Sequence, residues 1–325
     1  MKTTKRVLIG IGVVAVGAAL AAVAYFATTS RDVVVVGYMR IATHVPVLIA
    51  KDLQLLDTGR LKVSLEYYPD TPTLMRAVEQ GRVDIGFQLT PEAVWRSAAE
   101  GNRYHIYYIA ASTSESPLDG LLAVAPLSAA SLKGKKIGHF PGATAEAMTK
   151  RIVEEAYGLK TPRDYELRPV APPLQFTALL KVHEVDALFT YEPLVTMLVT
   201  AGARNELAGP VERYIVDPWY GGIGVFSHDL VVRRPVVAKE FQAATAAAFS
   251  EIARTPAVFA EYVARLQPGI TKETAAHIPI PHYIVATTSA EIEALRVALE
   301  KQLDIYRELG ILSEEGRHNV RIFGE

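Results

Sequence analysis

Two corners of the chain place glycine, hydroxyl and aromatic side chains where an apolar run gives way to a helical pattern. The first is GYMRIATH (Gly37–His44), which offers Tyr38, Arg40, Thr43 and His44 after VVVV. The second is KGKKIGHFPGATAEAM (Lys133–Met148), where Gly142, Ala143 and Thr144 open a helix. Free N–H groups at a helix start, with a threonine hydroxyl beside them, suit a sulfonate, carboxylate, nitrate or phosphate. The same residues also suit a plain cap, with Thr144 satisfying its own first turn. A nucleotide phosphate loop is excluded, because no Gly-Lys-Ser/Thr follows the corner. Lys133, Lys135 and Lys136 read as a solvated turn ahead of the strand.

Further candidates stand at other strand ends. Gln88 and Thr90 offer hydrogen bonds in VDIGFQLTP, and Thr190, Tyr191 and Glu192 mirror them in VDALFTYEP. Glu192 would repel a bare anion and accept hydrogen bonds from an amine or aminopyrimidine; equally, it would complement the dipole of the helix that Pro193 opens. Tyr38 directly follows its strand, a position that suits solute contact. Arg40 either neutralises an anionic ligand or stays solvated, and His44, two before Pro46, either faces the solute or begins the helix. Ser112 and Thr113 follow the apolar run IYYIA as a polar wall or an ordinary loop. Trp219 and Tyr220 either stack on a planar ligand or pack between lobes.

Catalytic chemistry finds no purchase. There is no cysteine, which removes thiolate catalysis, disulfides and Cys-ligated metals. The eight histidines form no HExxH pattern and no GxSxG elbow occurs, so no metal, cofactor or nucleophile site is expected.

The elements that must hold these residues alternate strand-like and helix-like, an α/β pattern. Two internal matches organise them. GYMRIAT pairs with GHFPGAT, and VDIGFQLTP with VDALFTYEP, both at an offset of about one hundred residues. Two similar α/β lobes follow, with loops at the carboxyl ends of their strands lining one cleft. From sequence, lobe 1 comprises 31–124 and 224–325, and lobe 2 comprises 125–223. Gly120–Pro126 and Gly221–Ser227 are the expected paired hinge crossings. Thr288–Glu291 is a capping box opening a long helix that Gly310 ends, and the late helices are assigned to the first lobe.

At 325 residues, half of them hydrophobic, the chain is long enough for two cored lobes. Its net charge of −1 excludes the basic footprint of a nucleic-acid binder. Residues 1–30 read as an export leader: Lys2, Lys5 and Arg6 precede the uncharged run Val7–Ala27. That run either ends in cleavage near Ala22–Ala24 or remains as an anchor, the body lying outside the cytoplasm in both cases.

The ordered set GYMRIATHVPVLIAKDLQLLD, LMRAVEQGRVDIGF, LKGKKIGHFPGAT, ALLKVHEVDALFTYEP and ELGIL resembles the periplasmic substrate-binding proteins of ABC importers. The group is the nitrate, sulfonate, taurine and thiamine-precursor (NMT1/THI5-like) family. The resemblance implies a type II two-lobed binding-protein fold, no enzymatic activity and no cofactor. It also implies a monomer that hands a small-molecule ligand to a permease and its ATPase. Two alternatives stand beside it. One is an enzyme on the same fold, of the pyrimidine-synthase or menaquinone-pathway type; the former carries a cysteine-rich stretch absent here, and the latter work in the cytoplasm. The other is an anchored sensory module. Among ligands, the aromatics and Glu192 favour an organic solute over bare nitrate.

Overall fold

Apolar runs that do not alternate with polar residues make strands buried on both faces, and such runs form the centre of each sheet. A computed structural model describes residues 32–56, 61–170, 184–205, 207, 209–267, 269–312 and 317–325. The leader reading and His183 fall outside these residues. No helix among the described residues is long and apolar enough to cross a membrane.

The strands are β1 (Asp32–Tyr38), β2 (Leu61–Tyr67), β3 (Ile85–Leu89), β4 (Tyr104–Ser112), β5 (Asp119–Ala123), β6 (Lys136–His139), β7 (Glu166–Pro169), β8 (Ala187–Tyr191), β9 (Arg204–Asn205), β10 (Trp219–Ser227), β11 (His282–Val285) and β12 (Val320–Ile322). They form two sheets. The first runs β11-β4-β10-β3-β1-β2 with β12 beside β4, and the second runs β7-β6-β8-β5-β9. In the first, β1 lies parallel to β2 and β3, and β10 returns antiparallel to β3. The second repeats this, with β6 parallel to β7 and β8 and β5 antiparallel to β8.

The internal repeat has a physical cause that can be named. Val35 N–H donates to the Asp84 carboxylate at 2.9 Å, and Lys136 N–H donates to Asp186 at 3.0 Å. The backbone N–H groups of the same two aspartates return to the carbonyls of Val35 and Lys136 at 2.9 and 2.8 Å. The aspartate shared by VDIGF and VDALF thus anchors the start of the central strand in both lobes.

Helices cover both faces. Those used below are α1 (Val45–Asp52), α2 (Thr71–Glu79), α3 (Pro91–Ala99), α4 (Ala143–Tyr157), α5 (Leu194–Thr200) and α6 (Ser289–Glu308). Asp70 caps α2 through Thr73 N–H at 2.7 Å, and Gly158 ends α4 in the left-handed conformation. In the first lobe Tyr107 stacks on Phe226 with centroids 4.1 Å apart, both fully buried. Truncating such a ring costs about 3–5 kcal/mol.

The lobes divide earlier than sequence suggests. β5 pairs only with strands of the second sheet, and β10 only with strands of the first. Residues 120–123 and 221–227 are therefore sheet strands, and the crossings run before them. The crossings lie side by side: Trp219 pairs with Ser112, and the Ser114 hydroxyl bonds the Asp217 carboxylate. The last helix also departs from its expected place. Leu295, Ala298, Leu299 and Leu303 of α6 join a core of the first lobe, whereas Tyr306 and the following Ile311 join that of the second. An amphipathic helix of this length has apolar surface for both, which periodicity alone does not apportion.

Candidate functional site

Between the lobes lies a cavity of about 210 Å³ with mostly apolar walls. That is below the roughly 300 Å³ at which drug-sized sites begin, so its scale suits one substituted ring.

From the first lobe, Thr43, Gln88, Thr90 and Ser112 line it, and from the second Gly142, Thr144, Tyr191 and Glu192 do; Trp219 completes the hinge side. Six other sequence candidates lie elsewhere. Tyr38 meets Tyr67 edge-on at 6.2 Å, and Arg40 is exposed with its guanidinium 4.8 Å above the Tyr67 ring. Neither lines the cavity. His44 is fully buried; its Nδ1 accepts the Met39 N–H at 3.1 Å, and burial holds it neutral by lowering its pKa to about 3. It is a brace for the GYMRIATH loop. The Thr113 hydroxyl accepts Ser116 N–H in its own turn, at 3.1 Å. Ala143 and Tyr220 pack against the cores of the second and first lobes.

Gln88 has an exacting position. It is 6% exposed, sits at φ 55°, and accepts the Tyr108 hydroxyl proton through Oε1 at 3.1 Å. Its Nε2 has no partner among the described residues. A Cβ on Gly222 would come within 1.8 Å of that nitrogen, so the Gln88 amide holds this place only because residue 222 is glycine. The Thr43 hydroxyl is likewise buried without a partner.

The GATAE corner is already occupied. Glu92, at the start of α3 in the first lobe, accepts hydrogen bonds from Thr144 N–H at 3.2 Å and the Thr144 hydroxyl at 2.6 Å. Gly142 precedes the helix at φ 134°, a conformation that glycine alone adopts freely. The free N–H of α4 thus meets a carboxylate that the protein itself supplies from across the cleft. Glu92 also pairs with Arg96 at 2.8 Å, and Arg96 donates to the Ile311 carbonyl at 2.8 Å.

The remaining charge is acidic. Glu192, 5% exposed, accepts from Thr196 N–H at 3.1 Å and from the Thr196 hydroxyl at 2.8 Å, yet burial pushes its pKa up to about 7. Asp119 lines the cavity beside Tyr191, its partner across the β5–β8 ladder. Burial, then the nearby Glu212 and Glu192, hold the Asp119 carboxyl well above the usual range. Glu212 lies behind Ser112, whose hydroxyl donates to it. No lysine, arginine or histidine among the described residues lines the cavity. Among the described residues no group of acids and histidines could hold a metal ion.

Sequence reasoning missed Glu92, Asp119, Phe140 and Phe189 of the lining. Glu92 lies one residue beyond the matched VDIGFQLTP, and Asp119 heads a segment read as a crossing.

The NMT1-like family model matches residues 28–266. The chain belongs to the NMT1-like family. No curated protein sequence matches it. Among solved structures it is similar to the alkanesulfonate-binding protein SsuA from Xanthomonas axonopodis pv. citri bound to MOPS. The two are 21% identical, 90% of this chain and 98% of that one are covered, and the TM-score is 0.68. It is also similar to the periplasmic nitrate-binding protein NrtA from Synechocystis PCC 6803, with 16% identity, 89% and 84% coverage and TM-score 0.69. The desulfurization enzyme DSZB shares the fold as well, at 16% identity, 88% and 95% coverage and TM-score 0.61. The likeness establishes a two-lobed α/β binding-protein fold, one that serves both binding and catalysis in its other members.

Proposed function

We propose that this NMT1-like protein is the extracytoplasmic solute receptor of an ABC importer. It captures a small organic solute by closing its lobes and presents the closed form to the permease and its ATPase. The observation that carries the reading is the cavity itself, lined from both lobes and bridged by Glu92 and Thr144. A ligand touching both walls favours the closed state by its differential affinity for it, which is how a clamp signals occupancy.

Within the family's range, an organic, amine-bearing ring suits the cavity better than sulfonate, taurine or nitrate. The anion reading needed Arg40 and Thr144. Arg40 lies over Tyr67 outside the cavity, and Thr144 is engaged by Glu92. Glu192 and Asp119 offer acceptors, and Phe140 and Tyr191, edge-on at 5.1 Å, offer aromatic walls. An enzymatic role finds less support, since among the described residues the cavity pairs no nucleophile with a base.

Small-angle scattering with a panel of aminopyrimidines, aromatic amines, sulfonates and nitrate tests the reading. Compaction with a nitrogen-bearing ring is expected. Compaction with sulfonate or nitrate alone would reverse the ligand preference, and none with any solute would count against the receptor role.

A further inference from the structure

Partly buried acids elsewhere in this protein have partners of two kinds. Asp84 pairs with Arg234, Asp186 with Lys135 at 3.1 Å, and Glu92 with Arg96, whereas Asp70, Glu192 and Glu291 accept hydrogen bonds at helix starts. Asp119 has neither kind. Its side chain makes no hydrogen bond or ion pair among the described residues, although it lines a cavity between packed lobes. None of the charged groups acting on Asp119, Glu192 or Glu212 is cationic. Asp119 is half-buried with its carboxyl on the cavity wall. A carboxylate partly withdrawn from water without a counter-charge or hydrogen bond, with a second carboxylate nearby, is costly.

Opposite chemistry is also waiting. Gln88, 94% buried, lines the same cavity with its Nε2 unpartnered, and the buried Thr43 hydroxyl has no partner. The Gln88 donor asks for an acceptor, whereas Asp119 asks for a positively charged donor. Phe140, Tyr191 and Trp219 supply ring faces and edges that tolerate a cation.

We infer that the solute is a cation: a flat ring bearing a protonated amine or an amidinium, seated against Asp119, with an acceptor facing Gln88. The inference rests on the receptor reading and specifies its ligand. Glu192 stands second to Asp119, because its two oxygens already accept from Thr196. The chain carries the acidic half of an ion pair, and the ligand completes it.

The test uses isosteric pairs that differ in charge, benzamidinium against benzamide and 4-aminopyridinium against 4-methylpyridine at a pH where the latter is neutral. Binding is measured by calorimetry on the full purified protein. At least one cation is expected to bind tenfold or more tightly than its neutral partner. Asp119→Asn should erase that preference by weakening the cation at least tenfold, and it should raise the melting temperature of the unliganded protein. A purely structural Asp119 would lower the melting temperature instead. Should Asp119→Asn fail to fold, Asp119→Glu should retain the preference, and its loss there would count against the assignment. Equal or tighter binding of the neutral members, no binding by any cation, or an unchanged preference in Asp119→Asn overturns the inference. The receptor reading falls separately, only if no solute of any charge compacts the protein. A neutral or anionic solute that closes the cleft would keep the receptor and remove the cation.

Discussion

Glu192 and Asp119 lie at the ends of adjacent strands, and each carries a proton to a higher pH than it would in water. For Glu192, whose pKa is raised to about 7, the folded state keeps a proton that the unfolded chain releases near pH 4.5. The favourable contribution is complete below about pH 4.5 and is lost as pH rises towards 7, a change of roughly 3 kcal/mol. Glu192→Gln should therefore gain melting temperature over the parent at pH 7.5 and not at pH 5. Equal differences at both values would contradict this. Gly222 gives a second handle. Gly222→Ala drives a methyl group into the Gln88 amide, which must leave its Tyr108 bond and its place on the cavity wall. Overpacking of this kind costs about 1–3 kcal/mol, and solute affinity should fall by at least tenfold with the circular dichroism unchanged.

Single residues were legible in proportion to how local their chemistry is. Gln88, Thr144 and Glu192 stand at strand ends and helix starts, and such positions can be read from the chain. His44 could not be told from a ligand contact, since its role is a buried bond to Met39 N–H. Tyr38 and Arg40 left the candidate set for a similar reason: their partner, Tyr67, lies on another strand. Asp119 was invisible because its significance is that no cation among the described residues meets it, which only packing reveals.

Among elements, the lobes meet where α3 faces α4. The Glu92–Thr144 bridge places an acidic group on a helix N-terminus, a favourable charge–dipole pairing supported by two hydrogen bonds. A bond of this charged kind is worth about 2 kcal/mol, or roughly 30-fold in an equilibrium constant. Glu92→Ala should shift the unliganded protein towards an open form, seen as an increased radius of gyration and weaker solute binding with little loss of secondary structure. An unchanged radius would mean that the bridge accompanies closure without favouring it. Sequence disclosed the two corners as a pair, and Asp84 and Asp186 show why they match. The bridge itself was not disclosed, because it joins residues on different lobes. The capping box of α6 was likewise readable, whereas the division of that helix between two cores was not.

At the scale of the whole molecule, two sheets of matching order, paired crossings and one shared helix make the two-lobed frame on which the proposed closure rests. The repeat and the motif order pointed to that architecture, while the crossing positions required strand pairing. Net charge near zero gives no long-range preference for a ligand's sign, so selectivity falls to the cavity, whose described lining carries acids and no cation. The most direct test of the account is native mass spectrometry of the protein purified without denaturation, followed by identification of any solute released on unfolding. One small nitrogen-bearing ring per chain, without sulfonate, phosphate or nitrate, is the predicted result. A stoichiometric oxyanion in its place would contradict the account.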